Sequence, residues 1–241
     1  MSLLSAPSWQ LALTVLLVTL FGPLGRHPVR AQEPVPKTSW RAPVDRIASQ
    51  RFAMHQHGST LYAPYVSSQP IDQPDPNITR LVYLQHGAAR NPYAYLERFQ
   101  RAARLGDASD HTLVIAGQFL EEKDIEKHQP GDDVLYYSGN WRAGNRSQST
   151  DANPRPFRIS NFVVIDRMLT AAVRTFPNLT SVVVAGHSAG GQVVNRYAMT
   201  NEVEPILEQE HGLSVRYVVA NPSSYLYLNG KRWDEGSQSF Q

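Results

Sequence analysis

The feature that most constrains this chain is a change of pattern at residue 186. Ser181 to Ala185 (SVVVA) is a continuous β-branched run, the pattern of a strand buried on both faces. Gly186-His187-Ser188-Ala189-Gly190 follows at once, with Gly191 behind it. From Gln192 to Thr200 the apolar residues Val193, Val194, Tyr197 and Ala198 return on one side of a helix. A G-x-S-x-G set between a strand and a helix is the pattern of a sharp, strained turn that presents a serine hydroxyl. Its glycines are needed because side chains two positions before or after the serine would meet neighbouring backbone. The competing reading is a glycine-rich turn that binds an anion at a helix N-terminus. A dinucleotide turn would instead need G-x-G-x-x-G after the first strand, which this chain lacks.

The same alternation runs through the preceding residues. Ser59 to Val66 has β character, and Pro64 suggests an edge position. Leu81 to Gln85 (LVYLQ) and Thr112 to Ala116 (TLVIA) are short buried strands. Between them Asn91 caps a helix with Pro92 at its first position, and Gly106 suits its end. Ser160 caps another helix, whose stripe is Phe162, Ile165, Met168, Leu169, Ala172, Val173 and Phe176. Val215 to Ala220 is the last strand. Strands separated by helices imply an α/β fold, a mostly parallel sheet covered on both faces. We expect four parallel strands and at least one edge strand before them.

Composition narrows the chemistry. The 241 residues carry 23 Lys plus Arg against 21 Asp plus Glu and no cysteine. That length fits one large domain or two small ones. Disulfides, thiolate zinc sites and a cysteine nucleophile are excluded. A formal charge of +2 with no basic run gives no nucleic-acid footprint. Leu11 to Leu24 is apolar but short for a bilayer and is broken by Gly22 and Pro23. Residues 1–31 therefore read as a secretory signal cut after Ala31, although Met1–Gln10 lacks Lys and Arg. An uncleaved anchor is the alternative. Removing Arg26 and Arg30 leaves a mature chain of balanced charge. Asn77, Asn145 and Asn178 begin Asn-x-Ser/Thr triplets and are taken as unused.

Strand–His86-Gly87–helix followed by strand–GHSAGG–helix resembles the α/β-hydrolase superfamily of serine hydrolases. HGAARNPYAY is similar to the HG-x-x-R-N loops of its secreted esterase and depolymerase-like members, and Asn221-Pro-Ser-Ser-Tyr225 also fits that group. The resemblance spans roughly residues 58–230. It implies Ser188 as nucleophile and an oxyanion hole from the backbone N–H groups of Ala189 and Ala88. His86, which precedes the serine, is expected to brace its loop. The family order is serine, then acid, then histidine. After Ser188 only His211 is available, expected at the sheet edge opposite the active site, and Asp234 has no histidine behind it. The acid and base are thus expected beyond Gln241, in a domain incomplete at its C-terminus.

The domain reading is a signal over 1–31, a polar leader over 32–57 and the hydrolase domain over 58–241. The functional reading is a secreted or periplasmic serine hydrolase that cleaves a small or polymeric carboxylic ester through an acyl-enzyme on Ser188. It uses no cofactor or metal, binds no nucleic acid and makes no stable membrane insertion. A non-catalytic or vestigial relative and a peptidase or amidase are the alternatives. His55-x-His57 reads as chance spacing rather than a metal pair. Tyr136, Tyr137 and Trp141, in the long irregular stretch 118–158, either line a cleft or pin the loop. Glu121, Glu122, Asp124 and Glu126 read as a solvated face.

Overall fold

A computed structural model describes residues 40–241. In chain order its elements are β1 (Gln50–Gln56), β2 (Ser59–Ser67), β3 (Arg80–Gln85), α1 (Pro92–Leu105), β4 (Thr112–Gly117), β5 (Leu120–Glu121), α2 (Glu122–His128), β6 (Tyr136–Tyr137), α3 (Asn161–Thr175), β7 (Ser181–His187), α4 (Ala189–Thr200), α5 (Glu204–Gln209), β8 (Ser214–Ala220), β9 (Trp233–Asp234) and β10 (Ser239–Phe240). The main sheet has the order β1-β2-β4-β3-β7-β8. β4, β3, β7 and β8 are parallel, and β2 and β1 continue the sheet antiparallel. This is a mixed α/β architecture with a mostly parallel central sheet.

Each expected helix forms where its caps predicted. Asn91 accepts from the Ala94 N–H ahead of α1, and Ser160 accepts from the Phe162 N–H ahead of α3. The α3 stripe packs Ile165, Met168, Leu169 and Ala172 against Val182 and Val184 of β7, all essentially inaccessible to solvent. On the opposite face α1 covers Val82, Leu84, Val114 and Ala116.

Three sequence expectations change. First, residues read as leader belong to the folded body. Gln50–Gln56 pairs along its whole length with β2, through a turn in which His57 and Gly58 both have positive φ, 49° and 77°. Two left-handed central residues give the turn whose twist matches a hairpin. Second, β2 is not an edge strand. Pro64 is tolerated there because β2 pairs with β4 only over Tyr65–Ser67, so its missing N–H falls outside that ladder. Third, β7 is not buried on both faces. Val182, Val184 and Gly186 are buried, whereas Val183 and Ala185 are half-buried and His187 is exposed. The reason is that α1 lies over β2, β3 and β4 and does not cover that side of β7.

Candidate active site

The site is set by the sheet register. β3 and β7 are adjacent and parallel, and Gln85 stands opposite Gly186. Each strand then turns at the same end of the sheet. Ala88 and Ala189 each lie three residues beyond that pair, so they occupy equivalent places in two neighbouring turns. The connection from β3 to β4 runs over one face through α1, and that from β4 to β7 runs over the other through α3. Crevices at such a divergence, outside the carboxyl ends of strands, are where open α/β sheets hold ligands.

Ser188 has φ 58° and ψ −122°, a strained conformation for a residue with a side chain. It is held by its own N–H, which donates to the Ala220 carbonyl at 2.9 Å, and by its carbonyl, which accepts from the Gln192 N–H at 3.1 Å. The glycines around it are required by close approach. A Cβ on Gly190 would overlap the Gln85 carbonyl oxygen and lie 2.7 Å from that of His86. A Cβ on Gly186 would overlap the Gly190 carbonyl. The turn after β3 lies alongside, since a Cβ on Gly87 would sit in ordinary contact with the Ser188 Cβ, at 3.8 Å.

His86 fixes that second turn. It is fully buried, with Trp141 edge-on at 4.9 Å and Phe119 at 5.9 Å between ring centroids. Its Nδ1–H donates to the Gly87 carbonyl at 2.9 Å, and its Nε2 accepts from the Phe119 N–H at 2.9 Å. The ring is thereby one neutral tautomer with neither nitrogen free. Burial pushes its pKa down to about 4. The Gly87 carbonyl also accepts from the Arg90 N–H at 3.0 Å. In a trans peptide the C=O and the following N–H point in opposite directions. Two donors on the Gly87 carbonyl therefore turn the Ala88 N–H away from them. Among the described residues, neither that N–H nor the Ala189 N–H has a hydrogen-bond partner.

Ala88, Ser188 and Ala189 line one pocket of about 200 Å³, together with Trp40, Arg142, Gln192 and Ser223. Gln192 donates to the Ser223 hydroxyl, and Arg196 donates to that of Ser224 at 3.1 Å, so the segment after β8 is laid along α4 at the rim. Tyr136, Tyr137 and Trp141 are buried and do not line this pocket, so they pin the long loop.

Of the acidic run only Glu126 is exposed; Glu121 and Glu122 are half-buried, so the run is not simply a solvated face. Asp124 is fully buried and takes the Arg90 guanidinium on both oxygens, Nε at 2.7 Å and Nη2 at 3.0 Å. Asp124 also accepts the N–H groups of Val44 and Glu121. Arg90 spends its remaining donors on the carbonyls of Trp40, Ala42 and Ala88. One ion pair thus ties the turn after β3, the α2 N-terminus and residues 40–44 together. Sequence reasoning missed this pair, and also Trp40, Arg142, Gln192 and Ser223. The partners are distant along the chain, and no short motif marks them.

Among the described residues, no histidine or carboxylate hydrogen bonds the Ser188 hydroxyl. His211 lies just before Ser214, which pairs with Ser181 at the opposite end of β7. Seven strand residues, roughly 20 Å, separate that end from Ser188. Asp234 is exposed and accepts the Ser237 N–H. His55 meets Thr60, and no group of three or more acidic or histidine side chains is placed to hold a metal among the described residues.

Comparison with known proteins gives similarities among solved structures alone. No family description matches the chain, and no curated protein matches it. Among solved structures it is similar to poly(aspartic acid) hydrolase-1 from Sphingomonas sp. KT-1, at 22% identity and a TM-score of 0.44, over 78% of this chain and 60% of that one. It is also similar to a poly(3-hydroxybutyrate) depolymerase from Bordetella parapertussis, at 20% identity and a TM-score of 0.39, over 66% of this chain and 50% of that one. The chain therefore spans 60% and 50% of the lengths of these two proteins.

Proposed function

We propose that this chain has the α/β-hydrolase fold and is a serine hydrolase that cleaves carboxylic esters through an acyl-enzyme on Ser188. The observation that carries the reading is the pairing of a strained Ser188 with two unclaimed N–H groups in one pocket. The Ser188 hydroxyl attacks the ester carbonyl carbon and forms a C–O bond as its proton passes to a base. The carbonyl oxygen becomes an oxyanion between the N–H groups of Ala88 and Ala189. Such preorganised donors stabilise charge that appears only in the transition state. Collapse of the tetrahedral intermediate expels the alcohol, and water then releases the acid from Ser188. The N-terminus of α4 adds its partial positive charge at the same place.

A fluorophosphonate tests the nucleophile. We expect labelling of the full chain at Ser188, located by mass spectrometry and lost in Ser188→Ala. No described base reaches Ser188, so a parallel reaction includes free imidazole as a proton acceptor. Absence of labelling at Ser188 in both reactions overturns the reading and favours a non-catalytic protein. Export to the periplasm or medium is part of the same proposal. It rests on residues 1–31, which lie outside the described residues. Among the described residues no helix is long and apolar enough to cross a membrane.

A further inference from the structure

Arg142 sits in the same pocket as Ser188, Ala88 and Ala189. It belongs to a 3-10 turn over Gly139–Ala143, directly after the buried Trp141. Its guanidinium lies 5.3 Å from the Trp141 ring centroid. Among the described residues it makes neither an ion pair nor a hydrogen bond, and its Nε is buried without a partner. The half-buried and buried carboxylates nearest in sequence, Glu121 and Asp124, are already engaged. Glu121 accepts from Trp141 Nε1 at 3.2 Å and pairs with Lys123 at 2.7 Å, while Asp124 pairs with Arg90. The pocket thus holds one cation and no carboxylate, next to the positive end of α4.

Arg142 is half-buried, and its Nε is a buried donor without a partner, which is costly and which native proteins rarely leave so. A substrate anion would satisfy it. One planar fork suits one planar monoanion, the geometry of a carboxylate. The pocket of about 200 Å³ lies below the roughly 300–1,000 Å³ of sites for drug-sized ligands, so the group it holds is short. We infer that Arg142 is a specificity-determining residue that binds a carboxylate on the acyl side of the substrate, so that the preferred esters are those of short dicarboxylic acids. This deepens the reading of Ser188 as the nucleophile and rests on it.

The test compares two ligands that differ by one charge, monomethyl glutarate and dimethyl glutarate. Binding to the full chain carrying Ser188→Ala is followed by tryptophan fluorescence, since Trp40 and Trp141 flank the site. We expect the monoester to bind at least about tenfold more tightly than the diester, as for a charged hydrogen bond. The preference should shrink in high salt, collapse in Arg142→Gln and return in part in Arg142→Lys. In parallel, both ligands are used to protect Ser188 of the unsubstituted chain from the fluorophosphonate, and the monoester should protect at the lower concentration. Equal binding of the two ligands, or a preference unchanged in Arg142→Gln, overturns the inference. Inorganic phosphate binding as tightly as the monoester in an Arg142-dependent way overturns the commitment to a carboxylate. A charge preference in the binding assay with no labelling of Ser188 upholds the anion subsite while overturning the nucleophile, so the two claims fail separately.

Discussion

Acid is predicted to loosen the turn that carries Ala88, and His86 is the group that senses it. Its pKa is pushed down from 6.5 to about 4, first by burial and further by the Arg90 charge, although the Gly87 carbonyl, Asp124 and Glu121 pull the other way. In the unfolded chain the ring takes a proton near its ordinary value; in the folded protein it resists. The neutral ring's contribution is therefore fully present above pH 6.5 and is lost as pH falls toward 4. Two and a half pKa units at 1.36 kcal/mol each make this contribution about 3 kcal/mol. Asp166 titrates in the same window with the opposite sign. Burial raises its carboxyl to about 6, so its contribution is lost as pH rises. The informative quantity is thus a difference between two proteins. Urea unfolding of the unsubstituted chain and of His86→Gln, at pH 7 and pH 4, supplies it. Glutamine keeps a donor and an acceptor but does not titrate. The stability difference should shift by about 3 kcal/mol against the histidine protein on acidification, with the urea slope unchanged. A difference that stays flat across this window refutes the claim that His86 is a neutral brace.

Two further outcomes follow from the same loops. Arg90→Met leaves Asp124 buried without its partner and should lower stability in urea by about 3–5 kcal/mol, with most of the loss recovered when Asp124→Leu is added; a loss below about 1 kcal/mol would show that the pair is not needed. Ser188→Gly should raise stability by about 1 kcal/mol by releasing the positive φ, whereas Ser188→Ala should not, and a thermal melt in which both variants behave alike would refute strain at this position.

The sequence made the periodic parts of this fold legible and left the long-range ones dark. The helix over Asn161–Thr175 announced itself by its cap and stripe, and the Ser188 turn by the glycines that its close contacts with Gln85 and Gly190 require. The strand over Gln50–Gln56 was not legible, because its residues do not alternate: Phe52, Ala53 and Met54 run together between polar pairs, in a stretch whose neighbours look like leader. The burial of Asp124 was hidden for a different reason. Its partner Arg90 lies 34 positions away, and a short acidic run reads as solvated unless that partner is known. Arg142 was likewise invisible, since being unpaired is a property of the folded surroundings and not of any motif.

Three local costs fall in or beside the two turns that follow β3 and β7. Ser188 holds a strained backbone conformation. His86 gives up its ordinary basicity to hold the Gly87 carbonyl. Arg90 and Asp124 are buried as ions, an arrangement that well-packed apolar residues of similar volume would often replace without loss. None of these helps the sheet to form, since the α3 stripe and the valines of β7 supply its core. Real sequences depart from local consistency mainly where function requires it. These three bear on the position of one of two atoms, the Ser188 hydroxyl oxygen or the Ala88 amide nitrogen. An anion-binding turn needs the N–H groups at the start of α4 but has no use for a strained serine. A fold kept only as a scaffold has no use for the orientation of the Gly87–Ala88 peptide. A nucleophile facing an oxyanion hole needs both at once, and the in-register pairing of Gln85 with Gly186 is what brings them side by side.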